Sequence, residues 1–125
     1  MGIFFVITLL AVSIWTLNVT VRHLRLRQAS NAWWFAFGCL TLMGISAGYW
    51  LTFDFEYHAS ASMRVAGFPM PGCFFHLEDG HWIDFPLPPY VRYPGLLANV
   101  AALTALATLP VLIGSIFFRR SQSPQ

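Results

Sequence analysis

The segment DFEYHASASMRVAGFPMPGCFFHLEDGHWIDFPLPPYVRYPG, residues 54–95, decides how this chain is read. All five carboxylates stand in it: Asp54, Glu56, Glu78, Asp79 and Asp84. Outside it the sequence is nearly uncharged, and the runs 3–21, 33–53 and 96–118 hold no charged side chain. Crossing about 30 Å of hydrocarbon takes roughly 20 helical residues. Lipid offers the backbone no hydrogen-bond partners, so an isolated apolar run crosses it only as a helix. Each run therefore predicts a transmembrane helix. The expected fold is an all-α membrane protein, a single integral membrane domain over 1–125 with a 42-residue outer loop.

Composition agrees. The chain is 57% hydrophobic and only 10% charged, against about 25% charged residues in soluble domains. In water such a chain would expose large apolar patches. A net charge of +2 divided among separate segments leaves no footprint for nucleic acid. All seven basic residues are Arg, a usage that suits a GC-rich bacterial genome and hence a bacterial inner membrane. Cys39 lies in the second run and Cys73 in the loop. A disulfide needs Cα atoms within about 7 Å, so both are expected as free thiols. The first run is not expected to be a cleaved signal peptide: no basic segment precedes it, and Arg22, His23, Arg25 and Arg27 follow it.

Orientation follows from the placement of arginine. Arg22, Arg25 and Arg27 fall in the connector 22–32, and Arg119 and Arg120 open the tail; the long loop has Arg64 and Arg92 against five acids. Cytoplasmic segments carry the basic excess, so the connector and C-terminus are expected inside, the N-terminus and loop 54–95 outside. Trp33 and Trp34 mark the inner interface, Tyr49, Trp50, Tyr90 and Tyr93 the outer one. The short connector predicts that the first two helices pack as an antiparallel hairpin.

The helices offer small-residue faces. Gly44 and Gly48 have the small-xxx-small spacing that lets backbones approach, with Thr41 on the same face. Ala98, Ala101, Ala102 and Ala105 recur at helical spacing on the third helix. Thr41, Gly44, Gly48, Ala98, Ala102 and Ala105 are the expected packing residues, within one chain or, on a second reading, in a seam with a partner through Gly44 and Gly48. Pro110 predicts a kink. Transporters and proton relays need ionisable groups at depth, and haem needs axial ligands in the bundle. Yet His23, His58, His76 and His81 all lie outside the three runs, so no cofactor is expected. Asn18 and Asn99 are the most polar residues within the runs. They lie near opposite ends and are each expected to bond a neighbouring helix or headgroup water.

Six of the eight prolines stiffen the loop. Asp79-Gly80, flanked by aromatic and β-branched residues, predicts a two-residue type I′ hairpin. Its register pairs Glu78 with His81, Leu77 with Trp82, His76 with Ile83 and Phe75 with Asp84. A third strand over 63–68 fits beside it. The register gathers His76, Glu78 and His81, a donor set found in catalytic zinc sites, with His58 or Cys73 as a further ligand. The plainer reading is an exposed Glu78–His81 cross-strand pair. No Ser-His-Asp or Cys-His spacing appears, so no catalytic residue is assigned and an enzyme is not the expected class. The leading expectation is a protein acting in the lipid bilayer by protein–protein interaction: an accessory or assembly subunit of a larger complex, or a self-associating chain. An outer-face metal-binding protein is the alternative. An oligomeric pore lined by Ser13, Thr16, Thr20 and the asparagines is the third.

Overall fold

The three uncharged stretches become helices, and most of the acidic segment between the second and third becomes a sheet. A computed structural model describes residues 2–71, 73–85 and 89–118. In chain order the elements are α1 (Gly2–Leu26), α2 (Asn31–Phe53), β1 (Glu56–Ser60), β2 (Met63–Ala66), β3 (Cys73–Glu78), β4 (His81–Phe85) and α3 (Pro89–Phe118). Three of these helices are long and apolar enough to cross a membrane, over Ile3–Leu26, Asn31–Phe53 and Arg92–Phe117. Pro86, Leu87, Pro88, Arg119, Arg120 and the remaining tail lie outside the described residues.

Two helix boundaries differ from the sequence reading. Charge does not break a helix, and α1 continues through Arg22, His23 and Arg25 to Leu26, leaving a connector of 27–30 in place of 22–32. The turn closes as a Schellman motif. Gln28 adopts φ 47°, its N–H donates to the Arg25 carbonyl at 3.1 Å, and the Ala29 N–H donates to the Leu24 carbonyl at 3.0 Å. α3 begins at Pro89 rather than at 96. Proline at a first helical position loses no bond, and its fixed φ suits the helix, so the end of the proline-rich loop is helical instead of extended. The fold is thus mostly helical with a four-stranded antiparallel sheet between α2 and α3, rather than all-α with a lone hairpin.

α3 is the central helix. It packs along both α2 and α1, whereas α1 and α2 do not pack along their lengths despite their short turn; the expected α1–α2 hairpin contact is replaced by two separate contacts with α3. The α2–α3 pair is antiparallel and close. A Cβ on Gly44 would lie 2.5 Å from the Thr104 Cα, and one on Gly48 would lie 2.6 Å from the Val100 Cα. Gly114 repeats this toward the other end, 3.0 Å from the Trp33 ring. Antiparallel packing fixes the ends: the sheet sits at one end of the pair and the 27–30 turn at the other. On α1 the buried residues Val6, Ser13 and Thr20 recur every seven positions, the spacing that keeps one seam on a neighbour.

The interior is small and hydroxylated, and the exterior is large and apolar. Ser13, Thr20, Thr52, Asn99, Thr104 and Thr108 are buried, while Phe4, Trp15, Phe35, Leu42, Leu97 and Phe117 are exposed. In water this would be inside out. In hydrocarbon large side chains gain nothing by leaving the solvent, and small or hydrogen-bonding residues make the helix contacts. The hydroxyls are satisfied locally: Ser13 donates to the Leu9 carbonyl, Thr20 to that of Thr16 and Thr104 to that of Val100.

The close approach of α2 and α3 generates a test. Gly48→Val should destabilise the fold by about 1–3 kcal/mol, the range for overpacking, because backbone rather than a flexible side chain blocks the new methyl groups. Gly38→Ala, with nothing within 4 Å of the added methyl, should be neutral or stabilising by about 0.5–1 kcal/mol. Reversible unfolding in mixed micelles separates the two.

Candidate functional site

The sheet grows directly from α2. Two residues separate Phe53 from β1, and the strands follow in the order β1-β2-β3-β4, each antiparallel to the next. The β3–β4 turn places Asp79 at φ 48° and Gly80 at φ 80°, positive at both central positions as a type I′ turn requires. The pairs are Glu78–His81, Leu77–Trp82, His76–Ile83 and Phe75–Asp84, the register read from sequence. β2 occupies Met63–Ala66, pairing Met63 with His76 and Val65 with Phe74. β1, unforeseen, pairs Tyr57 with Val65 and carries an irregularity between His58 and Ser60. Its five residues are all exposed, so no buried alternation marked it.

One side chain ties this sheet to the helices. Asn99, fully buried in α3, accepts the Met70 N–H through Oδ1 at 2.8 Å and donates through Nδ2 to the Met70 carbonyl at 2.8 Å. Its second Nδ2 hydrogen goes to Thr52 Oγ1 at 3.0 Å, and Thr52 in turn donates to the Gly48 carbonyl at 2.7 Å. The carboxamide thus pairs with the Met70 backbone as a neighbouring strand would, and joins α3, α2 and the β2–β3 connection at one point. Gly95, one turn earlier on the same face, lets that connection lie close, with the Pro71 carbonyl oxygen 3.4 Å from where a Cβ would be. Asn18, by contrast, is exposed. The signal for this anchor was present in sequence: a lone amide in an Ala/Leu/Val helix near the end that adjoins the acidic segment. Its second partner, a loop backbone 29 residues away, was not foreseeable from spacing.

The two faces of the sheet differ. On one, Arg64 pairs with Glu56 and lies over Trp82, 5.2 Å from the ring centroid, while His58 meets Trp82 edge-on at 6.0 Å. These partly exposed groups contribute specificity of packing more than stability. On the other, Met63, Phe74 and Ile83 surround an open hollow of ≈ 420 Å³, with His76 and Glu78 at its rim and Phe75 completing the lining. A row of aromatic contacts leads from α2 to this face, Trp50 to Phe55 at 6.4 Å and Phe55 to Tyr57 at 6.2 Å. Arg92 of α3 lies 5.3 Å over the Phe53 ring, closing the sheet-side ends of α2 and α3 together.

The other sequence-derived residues are placed as follows. Gly44 and Gly48 meet the backbone of Thr104 and Val100; Ala98 and Ala105 are buried, Ala102 is half-buried, and Thr41 is half-buried with its hydroxyl donating to the Phe37 carbonyl at 2.7 Å. His76, Glu78 and His81 are exposed on one hairpin face, with Glu78 opposite His81. Among the described residues no three His, Cys, Asp or Glu side chains converge well enough to hold a metal ion. The hydroxyls of Ser13, Thr16 and Thr20 donate to the Leu9, Val12 and Thr16 carbonyls of their own helix. Both cysteines are free thiols. Partial burial raises the Cys73 pKa; Arg92 nearby lowers it and Asp84 raises it, and burial dominates. No family model matches the chain, and neither a curated protein nor a solved structure matches it.

Two predictions follow from this geometry. Asn99→Leu strands the Met70 N–H and carbonyl, so it should cost about 2–4 kcal/mol, the summed penalty of unsatisfied buried groups. Faster amide exchange at Met70 and faster proteolysis of the 54–88 segment, with helix content unchanged, are the expected readouts; unchanged Met70 protection would contradict the anchor. Cys73 should alkylate only as pH rises above the ordinary thiol range, because a raised pKa keeps the nucleophilic thiolate scarce near neutrality. Arg92→Gln should push the reactive pH higher and Asp84→Asn should lower it, read as maleimide rate against pH.

Proposed function

We propose that this chain is a three-span inner-membrane protein that acts by binding another membrane protein, as an accessory or assembly subunit, through its outer sheet. In this reading the N-terminus and the sheet face outward, and the 27–30 turn and C-terminus face the cytoplasm. The arginine distribution supports that orientation, with Arg22, Arg25 and Arg27 at one end and all five acids toward the other.

The observation that carries the binding role is the sheet face around the hollow. Ile83 is 47% exposed and Met63 39%, and the chain's own helices do not cover them. A four-stranded sheet with apolar residues open on one face is an incomplete layer, because stable architectures bury such a face against another element. The anchor at Asn99 holds this face in a fixed relation to the bundle, so a partner meets a preformed surface and less ordering is needed on binding. The helix exteriors are apolar as well, but lipid satisfies them.

Native-gel migration in mild detergent tests the proposal. The protein is expected in a discrete complex larger than the monomer, and Ile83→Asp should release it while leaving helix content intact. Migration of the wild-type chain alone, as a monomer, would overturn the subunit role. Orientation is tested separately: an impermeant maleimide applied to the outer face at raised pH should label Cys73 and leave Cys39, which sits in a spanning helix, unmodified.

A further inference from the structure

We propose that the turn between α1 and α2 is a binding site for the phosphate of an anionic phospholipid headgroup, with Arg27 as its central ligand and Arg22 and Arg25 at its rim. The inference rests on the reading that the helices span a bilayer.

Arg22 and Arg25 are exposed and Arg27 is half-buried. The Nη1 atom of Arg27 is buried with no hydrogen-bond partner among the described residues. A buried guanidinium nitrogen without an acceptor is costly, and the protein has little to offer it. Three of the carbonyls that end α1 are already taken, since His23, Arg25 and Leu24 accept from the backbone of Arg27, Gln28 and Ala29. Among the described residues carboxylates are out of reach. The acid nearest along the chain, Asp54, caps the far end of the 23-residue helix α2, about 35 Å away at 1.5 Å per residue and several Debye lengths distant. Residues 119–125 contribute Arg119 and Arg120 but no Asp or Glu.

Arg27 as a whole is half-buried, so its guanidinium remains open to an acceptor from outside the chain, and the position of the turn says from where. It lies at the end of the helices opposite the sheet, beside Trp33 and Trp34 in the first turn of α2, whose rings suit headgroup depth. Phosphate oxygens are the acceptors abundant at that depth, and the planar fork of arginine matches them in pairs. Three guanidiniums with no local countercharge favour a headgroup with net negative charge over a zwitterionic one.

The test uses the full chain in nanodiscs of phosphatidylcholine with phosphatidylglycerol as the minority lipid, followed by native mass spectrometry of the lipid retained after gentle detergent release. Wild-type protein should retain phosphatidylglycerol preferentially. Arg27→Gln should lower that retention about fivefold, the factor equivalent to about 1 kcal/mol per arginine near a charged surface. Arg27→Lys, which keeps the charge needed for insertion but loses the fork, should also fall below wild type, and Arg64→Gln on the outer sheet should not. Equal retention of the two lipids by wild type, or retention by both Arg27 variants equal to wild type, would overturn the site. Displacement of the lipid by excess inorganic phosphate would likewise overturn it, by assigning the pocket to a free anion. A chain recovered from the aqueous phase without detergent would instead defeat the bilayer reading itself.

Discussion

Everything at the sheet end of this molecule depends on how closely α2 and α3 approach. With glycine at 44 and 48, the helix backbones touch: any side chain at either position would lie within 2.6 Å of a main-chain carbon. That proximity brings Asn99 to 3.0 Å from Thr52, so one of its two amide hydrogens is satisfied between helices. The remaining hydrogen and the carbonyl oxygen are left pointing outward in a medium that cannot solvate them. The Met70 backbone supplies both missing partners. Widening the helix pair by even one methyl group would break the Thr52 contact and tilt the carboxamide away from Met70. The seam of small residues and the attachment of the sheet are thus one device.

The choice of asparagine follows from that geometry. Met70 presents an N–H and a carbonyl at the spacing of a strand edge, and only a side chain with a donor and an acceptor in one plane answers both. A glutamine would add a methylene where the loop already lies against Gly95. An aspartate would keep the Met70 N–H bond, lose the donations to Met70 and Thr52, and bring a charge into a site with no cation. Because reversing the amide would set donor against donor and acceptor against acceptor at Met70, the network also fixes which atom is nitrogen.

Much of the architecture was readable from the residues, and each failure has a physical cause. The second helix ends where its apolar run ends, at Phe53, because Asp54 enters a different solvent. The hairpin register was readable because Asp79-Gly80 permits the positive φ values that few dipeptides tolerate. Hydropathy, however, locates the boundary of the hydrocarbon, not of the helix. α1 therefore outran its apolar stretch by Arg22–Leu26, and α3 began two turns before its own at Pro89. β1 was missed because edge strands with every residue exposed carry no periodic burial to detect. The identity of α3 as the central helix was equally hidden, since connector length suggests which helices are neighbours in sequence, and packing is decided by which faces are small. At the candidate site the hairpin residues were named correctly in register, but Met63 and Phe74, which form the apolar floor of the hollow, became neighbours only once β2 was paired.

The attachment also bears on the proposed role of the sheet. A sheet joined to the membrane by flexible linkers at both ends would sample many tilts, and a partner would have to select one. Here β1 leaves α2 after two residues, the β2–β3 connection is held by Asn99, and Gly67 donates back to the Phe55 carbonyl at 3.0 Å. With these three ties, and with only three residues between Phe85 and α3, the Asp79-Gly80 end of the β3–β4 hairpin is the overhang, its strands bonded along their whole length. The hollow lies on that overhang, between Met63 of the fixed half and Ile83 of the edge strand. A surface so placed is rigid where it meets the bundle and open where a second protein can approach. For the membrane partner proposed above, confined to the same plane, that combination would reduce the orientational search that association requires.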